Sequence, residues 1–231
     1  MALLNVLIYC GAGICQFSLN QTFKTLQRFL KHSYDVKLVS LETLSNAKIP
    51  WEADCALFVM PGGRDCPYMN DFTEHAVIPR IKNAMSERGM KYLGICAGAY
   101  FGADRIEFEI GREGYEVCQD RPLKFIEGLA KGPLPGRSFY YSDDPNCSNH
   151  EVSAVNIQQS DHCFKVAYNG GCYFPETTQN VLAEYGEPDL RSPAIILKEN
   201  SFCLSGVHFE YDPMDCLSED QCTGEVFSEL L

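Results

Sequence analysis

A chain of 231 residues, 45% apolar and 22% charged, is long enough to bury a real core as one domain, and its net charge of −12 argues against nucleic acid and anionic membrane surfaces as partners. Twelve cysteines would suit a disulfide framework in a secreted chain, but MALLNVLIYC carries neither a basic leader region nor a cleavage site. No window reaches the ~18 apolar residues that a bilayer span requires, and no Cys-x-x-Cys pair occurs, so the expectation is a cytoplasmic protein with free thiols, no metal site and no cofactor.

In chain order, MALLNVLIYC reads as a buried first strand, apolar on both faces. Ser18 with Gln21 predicts a capping box, and Leu19, Phe23, Leu26 and Leu30 recur at helical spacing behind it. Val36 to Ser40 follows as a strand, and a third apolar run ends at Met60. A helix carrying Ile78, Ile81 and Met85, with Pro79 marking its first turn or a kink, leads to the strand that ends at Ile95. This alternation implies a parallel sheet covered by helices on both faces.

From 111 to 200 the pattern changes to short segments punctuated by Gly, Pro and Asn, including Phe164 to Tyr168, Val181 to Tyr185 and Ala194 to Leu197, which predict antiparallel extensions. Apolar character returns at Phe202, placing a last core strand beside the one ending at Ile95. Cys10, Cys55 and Cys203 fall inside apolar strands and are expected as core thiols. The fold class expected is α/β, three layers with a mostly parallel central sheet, as one domain over 1–231. Residues 212–231 hold six acidic groups and no Lys or Arg, which reads as a solvated tail or final helix, or alternatively as a docking site for a basic protein partner.

The chemistry concentrates at strand ends. KYLGICAGAYFG sets Cys96 between an apolar run and a small-residue stretch able to enter a helix, so Gly94 and Gly98 leave room for a sharp turn and the thiol sits over free N–H groups that favour a thiolate. Taken alone, Cys96 also reads as a buried core cysteine. A thiol nucleophile needs a base and the base an orienting acid, and FCLSGVHFEYDP supplies His208 at a strand end with Glu210 two residues on, on the same side of an extended chain. His32, His75, His150 and His162 lie in helical or polar stretches that suit surface roles. CALFVMPGG ends a third strand in Gly62 and Gly63, which with the Ala97 amide could receive an oxyanion, or could form an ordinary turn. In an open parallel sheet these strand ends share one edge, the usual place for a ligand. Tyr168, Asn169, Gly170 and Gly171 read as a hairpin turn with Tyr168 packed beneath it. Arg105 and Glu107 are expected on the helix after Cys96, as a surface pair or as an anchor of that helix near the site.

VLIYCGAG, PGGRDCPY, GICAGAYFGADRIEFEIG, KGPLPGRSFYYSD, YNGGCYF and LSGVHFEY together resemble the class I glutamine amidotransferase-like domain at the N-terminus of eukaryotic biotin-protein ligases, over nearly the whole chain. The resemblance implies a flavodoxin-like fold, a Cys-His-Glu triad at Cys96, His208 and Glu210, an oxyanion loop at Gly62 and Gly63, and Tyr168, Asn169 and Gly170 at the pocket rim. The implied substrate is a small-molecule or peptide amide. Two departures bear on that implication. Catalytic amidotransferases read Gly-x-Cys-x-Gly-x-Gln where this chain has Tyr100, which argues against glutamine, and their His-Pro-Glu is His-Phe-Glu here. Glycine precedes arginine only at Gly63, Gly111 and Gly136, so the Gly-Arg-Gly-Arg-type loop of a complete ligase is missing from this stretch. The expectation is an amidotransferase-like domain standing alone or cut from something longer: an amide hydrolase or transferase, with a non-catalytic ligand-binding or regulatory module as the alternative.

Overall fold

Successive residues of a strand face opposite sides of its sheet, and in this protein that alternation builds two cores. Val6 and Ile8 of β1 (Leu4–Tyr9) and Leu57 and Val59 of β3 (Cys55–Met60) pack with Leu19, Leu26 and Leu30 of α1 (Gln16–Leu30). Leu7, Tyr9, Phe58 and Met60 face the other way and pack with Leu44 of α2 (Leu41–Ser45), Phe72 of α3 (Asp65–Glu74), Ile81 of α4 (Val77–Arg88) and Phe101 of α5 (Ala97–Gly102). Among the described residues one helix on one face and four on the other make three layers around the strands β1 and β3, which are buried on both sides over most of their length. The structure is a computed structural model that describes residues 4–137, 139, 153–176, 178–186 and 191–211. The expectations for residues 212–231 and for His150 lie outside that set.

The main sheet runs in the order β2-β1-β3-β4-β12-β11-β10-β8-β9. From β2 (Tyr34–Val39) through β1, β3 and β4 (Lys91–Ile95) to β12 (Phe202–Ser205) neighbouring strands are parallel. From β12 outward through β11 (Pro193–Lys198), β10 (Val181–Tyr185), β8 (Ser153–Gln159) and β9 (His162–Tyr168) they are antiparallel. The protein is thus α/β with a large mixed sheet. The antiparallel part matches the parallel part in extent, more than the short punctuated segments suggested. A smaller sheet of β5 (Arg105–Phe108), β6 (Val117–Asp120) and β7 (Leu129–Gly132) stands apart, with β5 in its centre.

Three local expectations are corrected. Helix α1 begins at Gln16 behind Cys15, so Ser18 lies buried within its first turn and forms no capping box. Helix α5 stops at Gly102, where an added Cβ would stand 2.5 Å from Leu204 Cδ2, and Ala103 is extended. Arg105 and Glu107 therefore sit on strand β5 rather than on a helix, where Arg105 pairs with Asp120 at 3.4 Å and Glu107 with Lys131 at 3.2 Å. Finally, Cys10 follows the end of β1 and is half-buried, its thiol donating to the Val39 carbonyl at 3.4 Å, whereas Cys55 and Cys203 are core thiols. Every cysteine among the described residues is free, and no helix among them is long and apolar enough to cross a membrane.

Candidate active site

Strand β4 ends at Ile95 and helix α5 begins at Ala97, so Cys96 must reverse the chain in a single residue. It does so at φ +52° and ψ −106°, a left-handed conformation that costs a non-glycine residue about 1–3 kcal/mol and survives only where neighbours fix it. They do. The Cys96 N–H donates to the Ser205 carbonyl of the adjacent strand at 2.8 Å, and its own carbonyl accepts from the Ala99 and Tyr100 N–H groups at 3.0 and 3.1 Å. The flanking glycines are there for close approach: a Cβ on Gly94 would come within 2.3 Å of the Gly98 carbonyl oxygen, and one on Gly98 within 2.1 Å of the Met60 carbonyl oxygen.

Strand β12 ends at Ser205, and a bend through Gly206 and Val207, held by Ser205 Oγ donating to the Val207 carbonyl at 2.8 Å, delivers His208 to the same edge. The His208 N–H donates to the Ala167 carbonyl at 2.9 Å. Beyond it the chain turns rather than staying extended, with the Tyr211 N–H donating back to the His208 carbonyl at 3.4 Å. The turn still brings Glu210 Oε1 to 3.0 Å from His208 Nδ1, and Phe209, in place of proline, is buried within it. The imidazole also neighbours Cys96 across Gly62. Burial alone would push the His208 pKa down. The Glu210 carboxylate and the nearby Cys96 side chain outweigh it and raise it to about 10, so the imidazolium persists at neutral pH. Tyr211 stacks on the imidazole, ring centroids 4.3 Å apart.

Gly62 and Gly63 follow β3, but their amides differ. The Gly62 N–H donates to Ser18 Oγ at 2.9 Å and so is not available to an oxyanion. Instead Gly62 makes room, since a Cβ there would lie 2.7 Å from His208 Cε1 and 3.4 Å from the Cys96 Cβ. The Gly63 and Ala97 N–H groups donate to no acceptor among the described residues, and both residues line a cavity of about 290 Å³ together with Cys96.

Tyr168 is fully buried beneath its turn, accepting from the Leu134 N–H at 2.6 Å and donating to the Gly171 carbonyl at 2.9 Å. The turn itself borders the site. The Asn169 carbonyl stands 3.6 Å from Cys96 Sγ as acceptor of the thiol, and Gly170, a wall of the cavity, accepts from the Tyr100 hydroxyl at 3.1 Å. Tyr100 is thus buried and fastened to the loop over the thiol.

Ser18, expected as a helix cap, belongs to the site instead. Its hydroxyl accepts from Gly62 and donates to Glu210 Oε1 at 3.4 Å, linking the glycine loop to the acid. Thr25 Oγ1, two turns further along α1, donates to the Glu210 carbonyl at 2.8 Å. The available signal was a polar stripe: Ser18, Thr22 and Thr25 recur at helical spacing beside the apolar one, and a polar stripe on a buried helix face implies polar partners. Glu210 Oε2 is buried without a partner among the described residues, so the carboxylate depends on His208 and Ser18 for compensation.

Residues 4–230 match the family model described as biotin-protein ligase, N terminal. The chain is 35% identical over 217 residues to the biotin–protein ligase of Schizosaccharomyces pombe, covering 90% of this chain and 33% of that protein, so it spans about a third of that relative's length. It is 34% identical over 236 residues to an uncharacterised protein of Chlamydia muridarum, covering 96% of this chain and 86% of that one. Among solved structures a glutamine amidotransferase superimposes over 90% of each chain with a TM-score of 0.59 at 17% identity, a likeness of fold.

Proposed function

The chain belongs to the family of biotin-protein ligase N-terminal domains, and from that premise we propose that it is a cysteine-dependent amide hydrolase or transferase acting through Cys96, His208 and Glu210. The observation that carries this reading is that the elbow cysteine and His208 both flank Gly62, with the imidazole Nδ1 3.0 Å from a buried carboxylate. A buried histidine with a raised pKa beside a thiol favours the thiolate–imidazolium pair, the reactive form of a cysteine nucleophile.

In this mechanism His208 holds the proton from Cys96 and Glu210 orients the ring. The thiolate attacks the carbonyl carbon of an amide, and the developing oxyanion accepts from the Gly63 and Ala97 N–H groups. The leaving amine takes the proton from His208 as the C–N bond breaks, and water or a second amine then opens the thioester. Neither Gly62 nor Tyr168 takes part directly, because their polar groups are bonded within the protein. The test is alkylation by iodoacetamide, followed residue by residue by mass spectrometry across pH. Cys96 reacts fastest of the twelve thiols and slows in His208→Ala; uniform rates overturn the reading.

A second reading, a ligand-binding or regulatory module without turnover, draws on the Asn169 carbonyl facing the thiol and on Tyr100 pinning that loop. A Cys96→Ser variant that retains every cellular phenotype of the wild type would favour it over the first.

A further inference from the structure

The cavity beside Cys96 is walled by Tyr100, Ile106, Phe108, Val117 and Phe139, with exposed Tyr115 beside them. The aromatic walls brace one another, Phe108 meeting Tyr100 edge-on at 5.7 Å and Phe139 edge-on at 5.1 Å. The polar groups among them are already engaged. Asp65 is paired with the fully buried guanidinium of Arg121, the Cys66 thiol donates to Asp65 at 3.6 Å, and the Tyr100 hydroxyl donates to Gly170. Arg64, the remaining charged lining residue, is exposed and has interactions of its own.

These facts decide what can enter. An α-ammonium group such as glutamine carries would meet Asp65 as the single lining carboxylate among the described residues, already neutralised by Arg121, and an unpaired buried charge is strongly penalised. An apolar ring meets three aromatic faces and two branched aliphatic side chains at no such penalty. The volume, about 290 Å³, is at the lower end of small-molecule sites and too small for a folded partner. Resting on the Cys96 nucleophile proposed above, we infer that this cavity selects the acyl side of the substrate, and that it takes an uncharged aromatic acyl group of about phenylacetyl size in place of a glutamyl group. Tyr100 is the residue that closes the site to glutamine: its ring forms a wall and its hydroxyl is held by the loop.

The experiment compares three p-nitrophenyl esters on the intact chain: acetate, phenylacetate and N-methylpyridinium-3-acetate, the last a cationic isostere of phenylacetate. In each case the Cys96 thiolate forms a C–S bond as the C–O bond to p-nitrophenolate breaks, and water then hydrolyses the thioester to the free acid. Each rate is divided by the rate of the same ester with glutathione, and the Cys96 adduct is read by intact mass. Phenylacetate acylates Cys96 roughly tenfold or more faster than acetate, and the cationic isostere falls to the acetate rate or below. In Val117→Asp the phenylacetate preference is lost and the cationic isostere becomes the faster of the two. Iodoacetamide, too small to need the cavity, reports the thiol separately in every variant. Equal corrected rates for all three esters at a thiol that iodoacetamide still modifies rapidly would overturn the inference and leave the nucleophile standing; a Cys96 inert to every reagent would overturn both.

Discussion

Two stretches of the same sheet treat the same functional group in opposite ways. Cys203 lies in the middle of β12, opposite Leu93 of β4, and burial alone pushes its thiol far above the ordinary range. Cys55 in β3 is pushed up to about 12 by the same cause, and burial also raises fully buried Cys172 well above its ordinary value. Cys96, also buried, stands one residue past the end of β4, where the chain leaves the strand at a positive φ and His208 lies beside it. Strand interiors silence a thiol by desolvation. Strand ends can supply the charge and the donors that make one reactive.

The largest effect that follows is on the acylation chemistry. Cys96→Ser and His208→Ala each lower the rate of p-nitrophenolate release by about 10³-fold or more, the scale of losing a member of a nucleophile–base pair. Glu210→Gln keeps the shape but removes the charge beside His208 Nδ1, and loses about 10²–10⁴-fold. Burst amplitudes with p-nitrophenyl phenylacetate check both. A variant series in which Glu210→Gln equals wild type would separate the acid from the chemistry and leave it a packing residue.

Next in size is the contrast among thiols. Under native conditions iodoacetamide modifies Cys96 on the order of a hundredfold faster than Cys55, Cys172 or Cys203, because their thiolate populations are suppressed by burial. Peptide-resolved alkylation checks it, and the contrast collapses in denaturant, where burial no longer suppresses Cys55, Cys172 and Cys203.

The same comparison predicts a dependence of stability on pH. In Cys96→Ala, where no thiol supplies the proton, the Glu210 carboxylate still raises the His208 pKa above its value near 6.5 in the unfolded chain, so above that pH the folded state binds an extra proton. Its contribution is fully present below about pH 6.5 and is lost as pH rises through the raised folded value. The thermal midpoint of Cys96→Ala therefore falls above pH 7 more steeply than that of Cys96→Ala combined with His208→Gln. Parallel slopes would mean that His208 is not held protonated by Glu210.

How much of this could be read from the residues themselves follows from what each element rests on. The strands β1, β3, β4 and β12 are largely apolar runs because both of their faces are buried, and their ends carry Gly63, Cys96 and His208 to one edge, so the parallel half and the meeting of these three residues were legible. The end of α5 was not, since it is set by Gly102 meeting Leu204 from a strand a hundred residues away. The approach of Glu210 was expected along an extended chain and occurs through a turn instead, because the acid is reached by side-chain length and by its hydrogen bonds to Ser18 and His208 rather than by strand alternation. Tyr168 and Asn169 are neighbours in sequence with opposite fates, one anchored in the core and one with its carbonyl against the thiol, a distinction that backbone direction makes and composition does not.

Ser18 gives the smallest and most discriminating effect. One hydroxyl joins the Gly62 amide to the Glu210 carboxylate, so Ser18→Ala leaves one buried donor and one buried acceptor short of a partner at a loss of about 1–3 kcal/mol. Loss of stability alone would suit any buried serine. A positioning role demands more: with Glu210 less fixed, the imidazolium is less favoured, and the pH at which Cys96 alkylation is half-maximal shifts upward in Ser18→Ala. Ser18→Thr keeps the hydroxyl and restores the wild-type profile even where its extra methyl lowers the melting temperature. An alkylation profile unmoved by Ser18→Ala would reduce this residue to a fastener of α1, and would locate the control of the thiol in His208 and Glu210 alone.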